Sequence, residues 1–293
     1  MRAFTIVTDT CCDLPQNLAQ DMDLVVIPLS VQLGDERFYN LPGAGPDTHT
    51  FYQRLFDGES VQTSAPNVGE FKDYFHPVLE AGKDLLYIGF TSALSATYQN
   101  STIAAEELRE EFPEATILTV DSLCASLGQG LLVDLAVREQ RKGKTIEEVR
   151  DYVEATKGQI HHWVTVGNLT QLRRGGRLTA AKAIFGSILQ VKPIIHVDAK
   201  GRLVAVGTVK GRKKALAHLI EQMEEFVVNA EGQRIYIVNS DCSSEAEKMA
   251  EEIQAKFPVA EVIVGDMGQV IGSHTGKDTI GLFFLGQERT SED

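Results

Sequence analysis

Four polar strings carry the side chains best suited to chemistry: "VTDTCCDLP" from Val7, "TSAP" from Thr63, "GFTSALSAT" from Gly89 and "TVDS" from Thr119. Each is rich in acids or hydroxyls and falls where a strand of an α/β sheet would hand over to a loop. Ligands of such sheets collect outside the carboxyl ends of the strands, where helix N-termini point. A serine nucleophile would need a histidine base and an acid, and Ser95, His274 and Asp9 supply those types. His274 stands out because "GSHTGKDTIG" surrounds it with glycines and small polar side chains. The order G-x-S-x-G is missing, so the nucleophile elbow of α/β-hydrolases is not expected. The same groups suit an anion held without a covalent step. Hydroxyls at the entrance of the helix after Ser95 would stand beside unpaired backbone N–H groups and the positive end of the helix dipole. His274 and an arginine of "QLRRGGRLT" could complete that shell. There Arg173, Arg174 and Arg177 surround Gly175 and Gly176, a turn whose backbone can approach a neighbour closely. Asp9, Asp13, Asp121 and Ser122 equally suit N-cap and turn positions that need no ligand.

Alternating strands and helices must position these strings. In the first half "FTIVT" from Phe4, "LVVIPLSV" from Leu24, "LLYIGF" from Leu85 and "TILTV" from Thr116 read as strands of an α/β layered domain. Leu127, Leu131 and Leu135 mark a helix, "TIEE" from Thr145 a capping box, and "GDERFYNLPGAGPDTHT" an exposed loop. In the second half strands are expected in "HHWVTVGNL", "KPIIHVDAKGRLVAVGTVK" and "QRIYIVNS", with "DAKG" as a hairpin turn. A helix is expected over 213–228, and an S-x-x-E start at Ser244 opens another. The end reads as a strand, a Gly-rich loop around His274 and a last apolar strand. The domains are expected to be 1–163 and 164–293.

Two further stretches bear on ligands. "AKAIFGSILQVKPIIHV" from Ala181 is core, or, for a ligand with an apolar tail, a tunnel wall through Phe185, Ile188, Leu189 and Ile194. Lys210, Arg212, Lys213 and Lys214 form a basic cluster in an acidic chain, a docking patch for an acidic partner or a membrane edge. The net charge of −13, from 28 basic and 41 acidic residues, argues against nucleic-acid binding. No apolar run is long enough for a membrane span. The N-terminus lacks the organisation of a signal peptide. Cys11, Cys12, Cys124 and Cys242 form no C-x-x-C pair, so reduced thiols, no metal and a cytoplasmic location are expected.

Taken in order along nearly the whole chain, "IVTDTCCDLP", "TSAPNVGEF", "FTSALSATYQNS", "TVDSLCASLGQG", "LRRGGRL", "VKPIIHVDAKGRL" and "GSHTGKDTIG" resemble the DegV family of bacterial fatty-acid-binding proteins. The resemblance implies two α/β domains: an N-terminal three-layer α/β/α domain with a parallel sheet, and a C-terminal two-layer domain with a mixed sheet. It implies one fatty acid, such as palmitate, stearate or oleate, in a buried tunnel, with no other cofactor. Its carboxylate would be held by Thr63 with Ser64 beside it, Ser95, His274 and Arg174. Thr91, Ser92, Gly272 and Thr275 would lie nearby. The carrier itself would not be an enzyme. A separate ATP-dependent kinase would phosphorylate the presented fatty acid, with the basic segment docking to kinase or membrane. Three positions depart from the family pattern: Ala96 in place of glycine, Ala65 in place of glutamine, and Lys277 with Asp278 after the histidine. A serine acyl hydrolase using Ser95 or Ser92, and a binder of small triose-like ligands, are the alternatives.

Overall fold

The run Phe4–Asp9 is buried on both faces, as a central parallel strand must be. It takes that place in the computed structural model, which describes residues 2–167, 169–179 and 191–290. Among these residues the strands form three sheets. The first is parallel, with β1 (Phe4–Asp9) between β2 (Val25–Ile27) and β6 (Asp84–Gly89), and β7 (Ile117–Asp121) beyond β6. Helix α1 (Gln16–Asp21) leads from β1 to β2. Phe71, Phe75 and Leu108 of α3 (Val68–Glu80) and α4 (Thr97–Glu111) pack on Val7, Leu85 and Tyr87 at one face. Helices α5 (Leu127–Arg141) and α6 (Ile146–Thr156) cover Ile6, Leu86, Ile88 and Val120 on the other, completing three layers.

The second sheet is mixed. Across it run β13 (Glu261–Asp266), β12 (Arg234–Asn239), β14 (Ile280–Leu285), β8 (Ile160–Thr165), β10 (Val191–Val197), β11 (Leu203–Lys210) and β9 (Leu178–Thr179). Helices α8 (Arg212–Phe226) and α9 (Ser243–Lys256) bury Leu219, Met223, Met249 and Ile253 on its outer face. Strand β8, which spans the expected boundary at 163/164, lies wholly within this sheet. Its inner face meets α5, which therefore packs between the two large sheets. That position explains "SLGQG": a Cβ on Gly130 would stand 2.8 Å from the Cys12 carbonyl. Asp134 of α5 then ties the sheet down, accepting hydrogen bonds from Arg234 at 3.2 Å and the Tyr236 hydroxyl at 3.0 Å.

The third sheet was not foreseen. It is antiparallel, with β3 (Ser30–Leu33) between β4 (Glu36–Tyr39) and β5 (Val61–Ser64). Pro28, which lacks an N–H, breaks the expected single strand from Leu24, so its halves β2 and β3 join different sheets. The expected exposed loop contains β4 and the start of α2 (Thr48–Phe56), and Phe38 within it is buried. The expected Gly-rich loop around His274 is helix α10 (Gln269–Thr275), and it packs against α7 (Thr170–Gly175). The capping box at Thr145 and Glu148 forms as expected, whereas α9 starts at Ser243 without a side-chain cap.

Past β14, Arg289 is buried and donates to the carbonyls of Lys157 (2.9 Å), Leu123 (3.1 Å), Gly158 (3.3 Å) and Val197 (3.4 Å). One guanidinium thus fastens loops from both halves of the chain. Arg289→Ala strands these carbonyls, and we expect a loss of about 3 kcal/mol in urea unfolding. An unchanged midpoint would show that water replaces the guanidinium freely.

Candidate functional site

The inner face of the mixed sheet and the strand-to-helix loops of the first sheet enclose a cavity of about 250 Å³. Strand alternation supplies its apolar wall: Val164 and Val166 from β8 and just after it, Ile195 and Val197 from β10, and Leu203 from β11. Phe90, Leu94, Ile271 and Met267 face them from the other side. The polar atoms are confined to a few side chains: Thr63, Ser95, Ser126, His162, Arg177, His274 and Thr275.

These side chains come from separate elements. Thr63 and Ser64 are successive on β5, so their side chains point to opposite faces, and only Thr63 reaches the cavity while Ser64 is exposed. His274 comes from the last turn of α10, and its Nε2 lies 2.9 Å from Thr63 Oγ1. Its Nδ1 has no hydrogen-bond partner and faces the Gly175 backbone so closely that a Cβ there would stand 2.5 Å from it. The glycine pair therefore makes its close approach to His274 itself. Burial, helped by the Arg177 charge, pushes the imidazole down to about 4, so it is neutral near pH 7. Ser95 stands at the entrance of α4, where its Oγ accepts from the Thr97 amide at 3.2 Å and lies 2.8 Å from Thr97 Oγ1. Ser126 sits at the entrance of α5 with φ of 53°, and its hydroxyl donates to buried Asp13 at 2.6 Å. The cavity lining thus offers hydroxyls, a neutral imidazole, a helix N-terminus and one guanidinium, groups suited to a carboxylate or a carbonyl.

A second, more polar hollow of about 540 Å³ opens behind this end and shares Thr63, Arg177 and His274 with the cavity. Arg174 lines that outer hollow and not the cavity. The chain turns through Gly176 at φ of 65°, which brings Arg177 to the position expected of Arg174. Ser92 is exposed, with its amide bonded to Asp121. Thr91 is buried and donates to the Gly201 carbonyl of the "DAKG" turn, so it fastens the two halves together. Gly272 packs on Tyr52, and the Thr275 hydroxyl stays on its own helix and on Met267. Ile194 faces α8, away from the cavity, whose wall takes Ile195 instead. Phe185, Ile188 and Leu189 lie outside the described residues. No triad forms among the described residues, because His274 bonds Thr63 and Ser95 bonds Thr97. Asp9 is committed to Tyr87, Gln129 and the amides of Cys11 and Phe90. Among the described residues no helix is long and apolar enough to cross a membrane.

A family model described as "Uncharacterised protein, DegV family" matches residues 3–287. The chain belongs to the DegV family. It is 39% identical to a DegV domain-containing protein of Clostridium perfringens, over 99% of both chains. A DegV family protein from Thermus thermophilus, described as binding fatty acid, superposes with a TM-score of 0.87 at 30% identity, covering 98% of this chain and all of that one. DegV from Bacillus subtilis, described as a fatty acid binding protein, gives 0.85 at 27% identity with the same coverage. The departures of this DegV chain prove mild. Ala96 has φ of −74° and ψ of 0°, ordinary values that need no glycine. Lys277 turns outward to Asp241 at 2.9 Å instead of adding charge at the cavity. Ala65 lines the cavity as one more apolar group.

Two tests follow from this geometry. Gly175→Ala should displace the imidazole and shift the His274 ring resonances in NMR. Gly207→Ala, where a Cβ meets nothing within 4 Å, should leave them in place, and equal effects would contradict the close-approach argument. The second concerns pH. Burial holds His161 and His274 at about 4, His196 at about 3 and His162 well down, against an ordinary 6.5. These groups add stability above pH 6.5 that is lost as pH falls toward their folded values. Burial raises Asp13 to about 7, so it acts in the opposite sense between 3.8 and 7, and burial raises Asp9, which acts in the same sense as Asp13 above 3.8. The four histidines outnumber the two acids, so unfolding takes up protons on balance near pH 5. The urea midpoint should therefore drop between pH 6.5 and 4.5, and a flat profile would contradict the neutral assignment.

Proposed function

We propose that this DegV chain binds one long-chain fatty acid in the cavity. The acyl chain lies along Val164, Val166, Ile195 and Val197, and the carboxylate meets Thr63, Ser95 and His274. The observation that supports the reading is a cavity with apolar strand walls that is also lined by the hydrogen-bonded Thr63–His274 pair and by Ser95. Burying an acyl chain of about 16 carbons is worth roughly 10 kcal/mol before ordering costs, so the tail supplies affinity. The hydroxyls and the imidazole supply orientation. A neutral His274 can donate a hydrogen bond without neutralising the carboxylate, which leaves the nearest positive charge to Arg177.

We further propose that the carboxylate is presented through the outer hollow to a separate kinase. Two features support this: the hollow opens directly behind Thr63 and His274, and Arg174 lies at its rim. Lys210, Lys213 and Lys214 are exposed and serve as the docking patch in this reading, whereas Arg212 is committed to Glu245 at 2.8 Å. The absence of a Ser95–His274 contact favours a carrier over a serine hydrolase.

Denaturing extraction of the purified protein should release about one fatty acid per chain by mass spectrometry, and an empty protein that also fails to take up oleate would sink the reading. Thr63→Val and His274→Ala should each weaken oleate binding by about tenfold or more, the worth of a hydrogen bond to a charged group. Ser64→Ala should leave it unchanged.

A further inference from the structure

Alternation along the strands gives the mixed sheet two unlike faces. His162, Val164 and Ile195 look into the cavity, whereas His161, Trp163, Ile194 and His196 look toward α8. On that second face lies a hollow of about 530 Å³, lined by His161, Trp163, His196 and Phe226, with His218 and Gln222 of α8 above them. Its wall is aromatic. His161 stacks on Phe226 at 5.2 Å and on Phe284 at 5.1 Å, and Trp163 lies 4.6 Å from the His196 ring.

Three ring nitrogens of this wall are buried without a hydrogen bond: His161 Nδ1, Trp163 Nε1 and His196 Nδ1. Native structures leave few such atoms, so three around one hollow call for a partner. Two of the roles can be assigned. His161 Nε2 lies 2.9 Å from the Gln287 carbonyl and so carries the proton, which leaves Nδ1 as an acceptor. Trp163 can only donate. At the rim Asp198 holds Arg202 and Arg289 serves backbone carbonyls, which leaves Glu288 as the exposed charge. An anion would meet Glu288, while a flat neutral molecule with both a donor and an acceptor gains both bonds and the stacking.

We infer that this hollow is a second ligand site, separate from the acyl cavity, for a small neutral planar heteroaromatic molecule of the purine type, stacked on the aromatic wall and hydrogen-bonded to Trp163 and His161. Trp163 is the sole tryptophan of the chain, so its emission reports occupancy directly. Adenine titrated into the protein, with and without saturating oleate, should change that emission saturably, with a Kd below about 1 mM. Indene, a flat bicycle with no hydrogen-bonding group, should bind at least about tenfold more weakly. His161→Phe keeps a ring in the stack and should weaken adenine by about tenfold while oleate binding is retained. The absence of a saturable response to adenine, an equal response to indene, or a response abolished by oleate would each overturn the assignment.

Discussion

The hydrogen bond between Thr63 and His274 joins residues 211 positions apart and closes the polar end of an otherwise apolar cavity. Polar atoms survive in a dry site only when they satisfy one another or wait for a ligand. Here the hydroxyl and Nε2 meet, while Nδ1 is buried against the Gly175 backbone without a hydrogen-bond partner. The arrangement needs β5 from the small antiparallel sheet, α10 after β13, and the turn that ends α7. Each of those elements is short and would have little reason to sit where it does on its own.

What holds them is the packing of larger elements. Helix α5 lies between the parallel and mixed sheets, and its buried Asp134 and Gln129 bond outward to both. Asp9, at the end of the central strand, gathers the Tyr87 hydroxyl at 2.7 Å and the Phe90 amide at 2.9 Å, which sets the direction of the loop leading to Ser95. Every oxygen of the Asp9 carboxylate is engaged in this buried network, and such networks favour one geometry. The loop therefore arrives at the cavity with its conformation already decided, and Ser95 Oγ meets the first amide of α4, that of Thr97.

Much of this is legible in the sequence, and the failures have physical causes. Long apolar runs and four-residue leucine spacing announce the core strands and α5, because those patterns answer to burial alone. The hydroxyls before α4 announce a helix entrance for the same local reason. His274 is legible as a site residue but not as helical, since Gly272 and Gly276 lower helix propensity while tertiary contacts with Tyr52 and α7 decide the matter. Arg177 and Arg174 cannot be told apart without the left-handed turn at Gly176, which redirects the chain. Ile194 and Ile195 differ by one position, and a one-residue slip exchanges the faces of a sheet; the pairing of β10 with β11 shifts register between them. The unpartnered nitrogens beneath α8 leave no mark in the sequence at all, because absence of a partner is a property of packing.

The central claim is that the cavity between the sheets holds an acyl chain with its carboxylate at the Thr63–His274 end. A crystal structure of the oleate complex tests this most directly. The account predicts one continuous chain of density along Val164 and Ile195, ending in a carboxylate within hydrogen-bond distance of Thr63 Oγ1 and Ser95 Oγ. Density for oleate anywhere else, or a carboxylate pointing away from His274, would contradict it.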